Sequence, residues 1–290
     1  MVLFFNNNTM KNNYLIDLFL DAKKVEWCSL RTLLYYRMII CNVLESIDLK
    51  IEDITTEELR NYLSNYREWN KCSLITVDNI RRVLSSFFGW LEEEDHIIKS
   101  PVRKIHKVKT QKVVKCTYSD ENIETMRDNC NNIRNLAIIE LLFITWIRVW
   151  ELVNLNRYDI NFEERSCIVL GKGNKEREVY FDARTKLHLQ KYLTERKDRN
   201  AALFVSERKP HQRLTISAIE LIVRKIWKKS HVDKSYPHKF RRTLATRAID
   251  KWMPIEQVQR LLWHAKIDTT MGYAMVNQNN VKLAHRKYLW

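Results

Sequence analysis

"SCIVLGKGNKEREVYF", residues 166–181, is the stretch that decides the fold class of this chain. Its two ends are rich in strand-forming residues, and the segment between them contains two glycines, a pattern typical of two short strands joined by a turn. The sequence on either side has apolar residues at helical spacing instead. We therefore predict a mainly α protein with a small β-sheet.

The helices on both sides of this hairpin belong with it in one mixed α/β domain, residues 117–290. "RNLAIIELLFITW" before the hairpin is apolar on all sides, which is typical of a buried helix. Four amphipathic segments follow the hairpin, and we expect a helix in each: "TISAIELIVRKIWKK", "HKFRRTLATRAIDK", "PIEQVQRLLWH" and "DTTMGYAMV".

The first hundred residues have the pattern of a small helical bundle, which we take as a separate domain, residues 1–100. Ser29 precedes a long apolar-periodic segment as an N-cap would, and Thr55 with Glu58 has the spacing of a capping box. Between 77 and 91, apolar residues recur at helical spacing, and we assign that stripe to the core.

A basic segment, residues 101–116, separates the two domains. It contains six Lys or Arg and no acidic residue. Because like charges repel, we expect an extended linker. Such a run can be ordinary solvated surface, but between two domains it is also suited to lie along phosphates. The candidate nucleic-acid-binding residues are Arg103, Lys104, Lys107, Lys109, Lys112 and Lys115.

The overall charge also indicates a polyanionic partner. Lys and Arg total 50 against 35 Asp and Glu, a net charge of +15. A nucleic acid fits better than a membrane, because no apolar run reaches the roughly 18 residues needed to span a bilayer. The six cysteines form no C-x-x-C pair, and no Gly-rich phosphate loop is present. We expect a cytoplasmic, nucleoid-associated protein without a metal site or a cofactor.

Four blocks in the second domain carry side chains suited to phosphate chemistry. They are "TWIRVWELVNL" (145–155), "LGKGNKEREV" (170–179), "HKFRRTLAT" (238–246) and "LLWHAKIDTTMGY" (261–273). Paired guanidiniums, here Arg148 and Arg241, can hold the non-bridging oxygens of a phosphodiester bidentately. A tyrosine, here Tyr273, can form a covalent phosphate ester.

In order and spacing these blocks resemble the tyrosine recombinases of the phage-integrase type, especially the Xer-like and transposon integrases of bacteria. The resemblance implies a helical N-terminal DNA-binding (SAM-like) domain and a mixed α/β catalytic domain. The catalytic set that it implies is Arg148, Lys172, His238, Arg241, His264 and the nucleophile Tyr273.

The resemblance also implies roles and partners. Lys172 would protonate the departing 5′-oxygen, while His238 and His264 would bind the phosphate and assist proton transfer, with no cofactor and no metal. Double-stranded DNA would be the substrate of a homo-tetramer acting on two DNA sites, with a possible accessory excision protein. The biological role would be integration or excision of a mobile element, or resolution of chromosome dimers.

Other interpretations remain open at this point. Each of these residues taken singly has an ordinary explanation: Arg148 with Glu151 could be a surface ion pair, and Tyr273 a core aromatic. For the whole chain, the alternatives are a catalytically impaired DNA-binding relative and, less favoured, an enzyme resembling the type IB topoisomerases.

The tryptophans depart from the family pattern. Only 4 glycines occur in 290 residues, where about 20 would be usual, whereas tryptophan occurs 9 times. Several tryptophans stand where the family has a small residue or where a helix-ending glycine is expected. We expect these corners to need a positive φ, which glycine adopts readily and a bulky residue does not. They are Trp27, Trp146, Trp150, Trp252 and Trp263, and we add Trp227 and Trp290 to the set.

We hypothesise that these positions are glycines in the organism. Some bacterial codes translate UGA as glycine and others as tryptophan, so the wrong code would exchange one for the other. The gene is then expected to carry TGA at positions 146, 252 and 263. DNA sequencing of the gene tests this, and TGG codons at those three positions would rule the hypothesis out.

Overall fold

The computed structural model describes residues 7–109, 116–171, 175–232, 236–263, 267 and 270–271 of the chain. The chain divides into two compact units, Met1–Val113 and Val114–Trp290. The first is helical, and the second combines helices with one small sheet. The predicted class, mainly α with a small β-sheet, is confirmed.

Four helices form the first unit: α1 (Asn7–Val25), α2 (Leu30–Ile47), α3 (Thr56–Asn70) and α4 (Leu74–Glu93). Side-chain caps fix where three of them begin. The Ser29 hydroxyl accepts the amide of Thr32 at the start of α2, and the predicted capping box of Thr55 and Glu58 opens α3. These caps satisfy amides that the helices themselves leave unpaired.

The core of this unit lies along α4, whose predicted apolar stripe is buried throughout. Phe19 of α1 lies at its centre, with ring centroids 5.2 Å from Phe87 and 5.7 Å from Trp90. Trp90 is therefore a core residue of this unit.

The first part of the predicted linker packs against this unit instead of extending away from it. Pro101–Lys104 forms a 3-10 turn in which Val102 is buried, and Ile105 and Val108 pack on the same core. Thr56 Oγ1 donates to the carbonyl of Pro101 at 2.7 Å. Apolar residues at intervals of three thus anchor the segment despite its charge, because their burial outweighs the repulsion between solvated lysines.

The second unit contains seven helices and three strands among its described residues. In chain order these are α5 (Asp120–Asp128), α6 (Ile133–Ile144), α7 (Val149–Asn154), β1 (Ile160–Asn161), β2 (Ser166–Gly171), β3 (Lys175–Tyr180), α8 (Ala183–Glu195), α9 (Ile216–Lys229), α10 (Pro237–Asp250) and α11 (Ile255–Leu262). Helix α6 is buried from Ala137 to Phe143, as its composition predicts.

The sheet has the strand order β1-β2-β3, and both pairs are antiparallel. Strands β2 and β3 form the predicted hairpin, in register from Ser166 with Tyr180 to Gly171 with Lys175. Burial alternates along β3, where Arg177 and Val179 point inward and their neighbours outward. The turn of the hairpin, with Lys172, lies outside the described residues.

Four tryptophans occupy left-handed corners. The φ angles are 62° at Trp27, 61° at Trp146, 64° at Trp252 and 51° at Trp263. Trp27 and Trp252 follow the ends of α1 and α10, and Trp263 is the C-cap of α11. The expectation that these corners need positive φ is therefore confirmed. It is wrong for Trp150 and Trp227, which lie within α7 and α9, and Trp290 lies outside the described residues.

The left-handed conformation brings Cβ close to the following carbonyl oxygen, which costs a non-glycine residue about 1–2 kcal/mol. At Trp27 the side chain is 94% exposed, so little burial offsets this cost. Since glycine adopts the same conformation without a Cβ, the corner at residue 27 favours glycine over tryptophan.

We predict that Trp27→Gly raises the free energy of unfolding of the first unit by about 1 kcal/mol, because it removes this clash. Urea unfolding of the full chain followed by circular dichroism measures it. The matched control is Trp69→Gly, since Trp69 is also exposed but lies within α3. There glycine should lower stability by about 1 kcal/mol. Equal effects of the two changes would contradict the prediction.

Candidate active site

The first predicted arginine stands at the start of α7, where it shares a buried carboxylate. Arg148 is the N-cap of α7, and its backbone amide donates to Glu151 Oε2 at 2.7 Å. Its guanidinium Nη1 donates to Glu151 Oε1 at 2.9 Å. The Glu151 side chain is fully buried, whereas that of Arg148 is 30% exposed. The pair is therefore not the ordinary surface ion pair that the spacing alone allows.

A second guanidinium, that of Arg177 on β3, binds the same carboxylate. Its Nη2 lies 2.7 Å from Glu151 Oε2, and its Nη1 donates to the carbonyl of Leu261 at 3.1 Å. The side chain is 3% exposed. The sequence analysis did not single out Arg177. The available signal was a charged residue at an inward position of an amphipathic strand, and this is uncommon unless the charge is paired.

The second predicted arginine, Arg241 on α10, is 1% exposed. Its Nη1 donates to the carbonyl of Trp146, and its Nη2 donates to the carbonyl of Leu262. One carbonyl belongs to the corner before α7, and the other is the last residue of α11. Arg241 thus joins α10 to the end of α11 and to the corner before α7.

His238 lies in the first turn of α10, three residues before Arg241, and is exposed. Pro237 occupies the first helical position, where its missing amide costs nothing. Within the same helix Phe240 is buried in the core, and Thr243 Oγ1 accepts the amide of Tyr118 at 2.9 Å. These contacts fix α10, and with it the helical face that carries His238 and Arg241.

Three of the six predicted catalytic residues, Lys172, His264 and Tyr273, lie outside the described residues. The structure describes what precedes two of them. Gly171 ends β2 immediately before Lys172, and Trp263, after the end of α11, immediately precedes His264. The described members, Arg148, His238 and Arg241, all belong to the second unit.

The predicted linker residues Arg103, Lys104, Lys107 and Lys109 are exposed on the first unit, while Lys112 and Lys115 lie outside the described residues. Arg103 also pairs with Glu92 at 2.9 Å.

Asp78 of α4 holds this segment in place: its carboxylate accepts the amide of Val108 at 3.2 Å and the Nε atoms of Arg81 and Arg82 at 2.9 and 3.0 Å. Burial alone would raise the pKa of Asp78. The hydrogen bonds from Arg81 and Val108 outweigh this effect and hold that pKa below its usual range.

Within the described ranges, no three His, Cys, Asp or Glu side chains group closely enough to hold a metal ion. In the same part of the chain, none of the helices has the length and the apolar composition that a membrane span requires.

Sequence profiles of two domain families match the chain. The Phage integrase family matches residues 117–280, and the N-terminal SAM-like domain of phage integrases matches residues 15–98. Together they account for both compact units.

Individual known proteins are similar to this chain in sequence or in fold over most of its length. The tyrosine recombinase XerC of Staphylococcus aureus (strain USA300 / TCH1516) is 31% identical over 283 residues, which cover 93% of this chain and 94% of that protein. A crystal structure of the XerH site-specific recombinase bound to a palindromic difH substrate, a post-cleavage complex, has a TM-score of 0.76 at 22% identity and covers 90% of this chain and 81% of that one.

The crystal structure of a lambda integrase(75-356) dimer bound to a COC′ core site has a TM-score of 0.72 at 19% identity, covering 88% of this chain and 95% of that one. The two structures show the same fold, and the family profile and the XerC identity extend the likeness to sequence. The chain therefore belongs to the phage integrase family and is a site-specific tyrosine recombinase.

Proposed function

We propose that this recombinase cuts and rejoins double-stranded DNA at specific sites through a 3′-phosphotyrosyl intermediate. The observation that carries the proposal is the convergence of contacts on the end of α11. The carbonyls of Leu261 and Leu262 accept bonds from Arg177 and Arg241, and the chain continues from there to His264. The end of α11 is thus bound directly by Arg241, and it is linked to Arg148 through Arg177 and Glu151.

In the proposed reaction the Tyr273 oxygen attacks the scissile phosphorus while the bond to the 5′-oxygen breaks. Lys172 gives a proton to the departing 5′-oxygen, and His238 and His264 bind the phosphate and assist removal of the proton from the tyrosine. A 5′-hydroxyl from the partner strand then attacks the phosphotyrosine. Its oxygen forms the new bond to phosphorus, the bond to the Tyr273 oxygen breaks, and the proton of the attacking hydroxyl passes to that tyrosine oxygen through the same acid and base groups. The bond energy is conserved in the ester throughout.

Arg148 and Arg241 would stabilise the charge that concentrates on the non-bridging oxygens as the phosphorus is attacked. A guanidinium presents a planar fork of donors, so two of them can hold those oxygens in a fixed orientation where an ammonium acts as a point charge. The exposure of Arg148 beside its buried partner supports this assignment.

The net charge of +15 and the exposed basic residues of segment 101–109 support binding to duplex DNA. The XerH and lambda integrase structures are themselves complexes with DNA. We further propose a homo-tetramer on two DNA sites that exchanges strands in pairs. Its role would be integration or excision of a mobile element, with an accessory excision protein, or resolution of chromosome dimers.

One observation favours a second candidate, a catalytically impaired DNA-binding relative. Arg241 is 1% exposed and donates to carbonyls at Trp146 and next to Trp263, two corners that carry indoles. An arginine buried there must become accessible before it can bind a phosphate. With tryptophan at these corners we therefore expect weaker catalysis than with glycine.

Tyr273→Phe is predicted to abolish the covalent protein–DNA adduct, because the ring without its hydroxyl has no nucleophile. DNA affinity should stay within about twofold, since a single hydroxyl contributes little to a contact dominated by phosphates. The measurement incubates the protein with supercoiled DNA carrying the element's ends and detects protein-linked DNA by denaturing gel electrophoresis.

The same assay separates the alternatives. Recombinant products that depend on Tyr273 support the proposal, whereas relaxation without site preference would indicate an enzyme resembling the type IB topoisomerases. DNA binding that weakens with salt, but no adduct, would indicate the impaired relative. An undiminished adduct from Tyr273→Phe would refute the assignment of the nucleophile.

Trp263→Gly is predicted to raise the rate of adduct formation at least tenfold, because glycine relaxes the corner that follows the Leu262 carbonyl bound by Arg241. The matched control is Trp252→Gly. Trp252 is 43% exposed against 41% for Trp263, and both stand in left-handed corners of the same unit. If both variants gain activity equally, general stabilisation and not the placement of Arg241 explains the gain.

A further inference from the structure

A largely buried cluster of three charged side chains contains Arg148, Glu151 and Arg177. Glu151 Oε1 binds Arg148 and Oε2 binds Arg177, at 2.9 and 2.7 Å. The side chains of Glu151 and Arg177 are 0% and 3% exposed, whereas that of Arg148 is 30% exposed. The cluster thus has two buried members and one member that solvent reaches.

Stability alone does not account for such a cluster. Removing charges from water is costly, and a buried ion pair often contributes no more than a well-packed apolar pair of the same size. What the cluster supplies is a defined geometry: Arg148 is held at both its backbone amide and its guanidinium by one carboxylate. That carboxylate is itself held from the opposite side by Arg177.

Arg177 also connects three elements that lead to predicted catalytic residues. It stands on β3, which pairs with the strand preceding Lys172, and it binds Glu151 of α7. Its other terminal nitrogen donates to the carbonyl of Leu261, one residue before the end of α11. One guanidinium therefore fixes the hairpin, the helix of Arg148 and the approach to His264 relative to one another.

The net charge of the cluster supports the same role for Arg177. Two guanidiniums and one carboxylate leave a net charge of +1. Without Arg177, the carboxylate of Glu151 would compensate Arg148 alone and reduce its attraction for a phosphate. With Arg177 present, that negative charge is shared between the two arginines.

We propose that Arg177 is a positioning residue for DNA cleavage. It acts through Glu151, keeping the guanidinium of Arg148 oriented toward the scissile phosphate, and through Leu261, holding the end of α11. This inference rests on the proposed function of Arg148 and the cleavage reaction described above.

The test compares Arg177→Met and Arg177→Lys with Arg213→Met in full-length protein carrying Trp263→Gly. Arg213 is the matched control, because its guanidinium also ties α7 to its surroundings, donating to the carbonyls of Val153 and Leu155 at 2.7 and 2.9 Å. It makes no bond to Glu151 among the contacts of the described residues. The single-turnover rate of adduct formation, the Kd for the same DNA and the thermal midpoint are measured for each variant.

We expect Arg177→Met to lower the single-turnover rate at least tenfold while the Kd changes by less than threefold. Arg177→Lys should recover part of the rate, because an ammonium keeps the charge but cannot bind the carboxylate and the carbonyl in the same fork. Arg213→Met should lower the thermal midpoint without a comparable loss of rate.

Equal losses of rate in Arg177→Met and Arg213→Met, or no recovery in Arg177→Lys, would show that Arg177 is merely structural and overturn the inference. If Arg177→Met fails to fold, the comparison of Arg177→Lys with Arg213→Met decides between the same outcomes. A failure of the proposed function looks different. In that case the Trp263→Gly parent forms no adduct, or forms one that Tyr273→Phe does not remove, and the inference falls with it.

Discussion

The structure of the second unit depends on the two ion pairs made by the carboxylate of Glu151. It is completely buried, so its charge must be compensated within the protein, and two arginines from different elements do so. Arg148 lies at the start of α7 and Arg177 lies on β3. If either element moved, a charge would be left uncompensated in the low-dielectric interior. The need to compensate the buried charge of Glu151 therefore fixes α7 and the β2–β3 hairpin relative to each other.

The second constraint is conformational and acts at the helix ends. Arg241 donates to the carbonyl of Trp146 and to that of Leu262, which precedes Trp263, and both tryptophans have positive φ. A carbonyl offers its lone pairs in a direction set by the backbone, so the position of Arg241 depends on these corners keeping their conformation. The position of the charged Arg241 side chain on α10 therefore depends on which uncharged residues occupy corners 146 and 263.

The sequence predicted what local interactions determine. The cap at Ser29, the capping box at Thr55 and the hairpin after Ser166 follow from neighbouring residues, and all were found where expected. The packing of segment 101–108 and the contacts of Arg177 were not predicted. Both depend on partners distant in sequence: Val108 binds the side chain of a residue 30 positions away, and Arg177 binds the Leu261 carbonyl 84 positions away.

The left-handed corners are not energetically alike, and the difference bears on what residue belongs there. At an exposed corner such as Trp27 the backbone cost of about 1–2 kcal/mol acts almost alone. Trp146 is only 8% exposed and packs with Ala245, Ala248, Val258 and Leu262, and truncating a buried tryptophan costs about 3–5 kcal/mol. With glycine at 146, α10 and α11 must close over the space that the indole fills. The carbonyls that bind Arg241 would then shift as well, so residue 146 couples the packing of these helices to the placement of the Arg241 guanidinium.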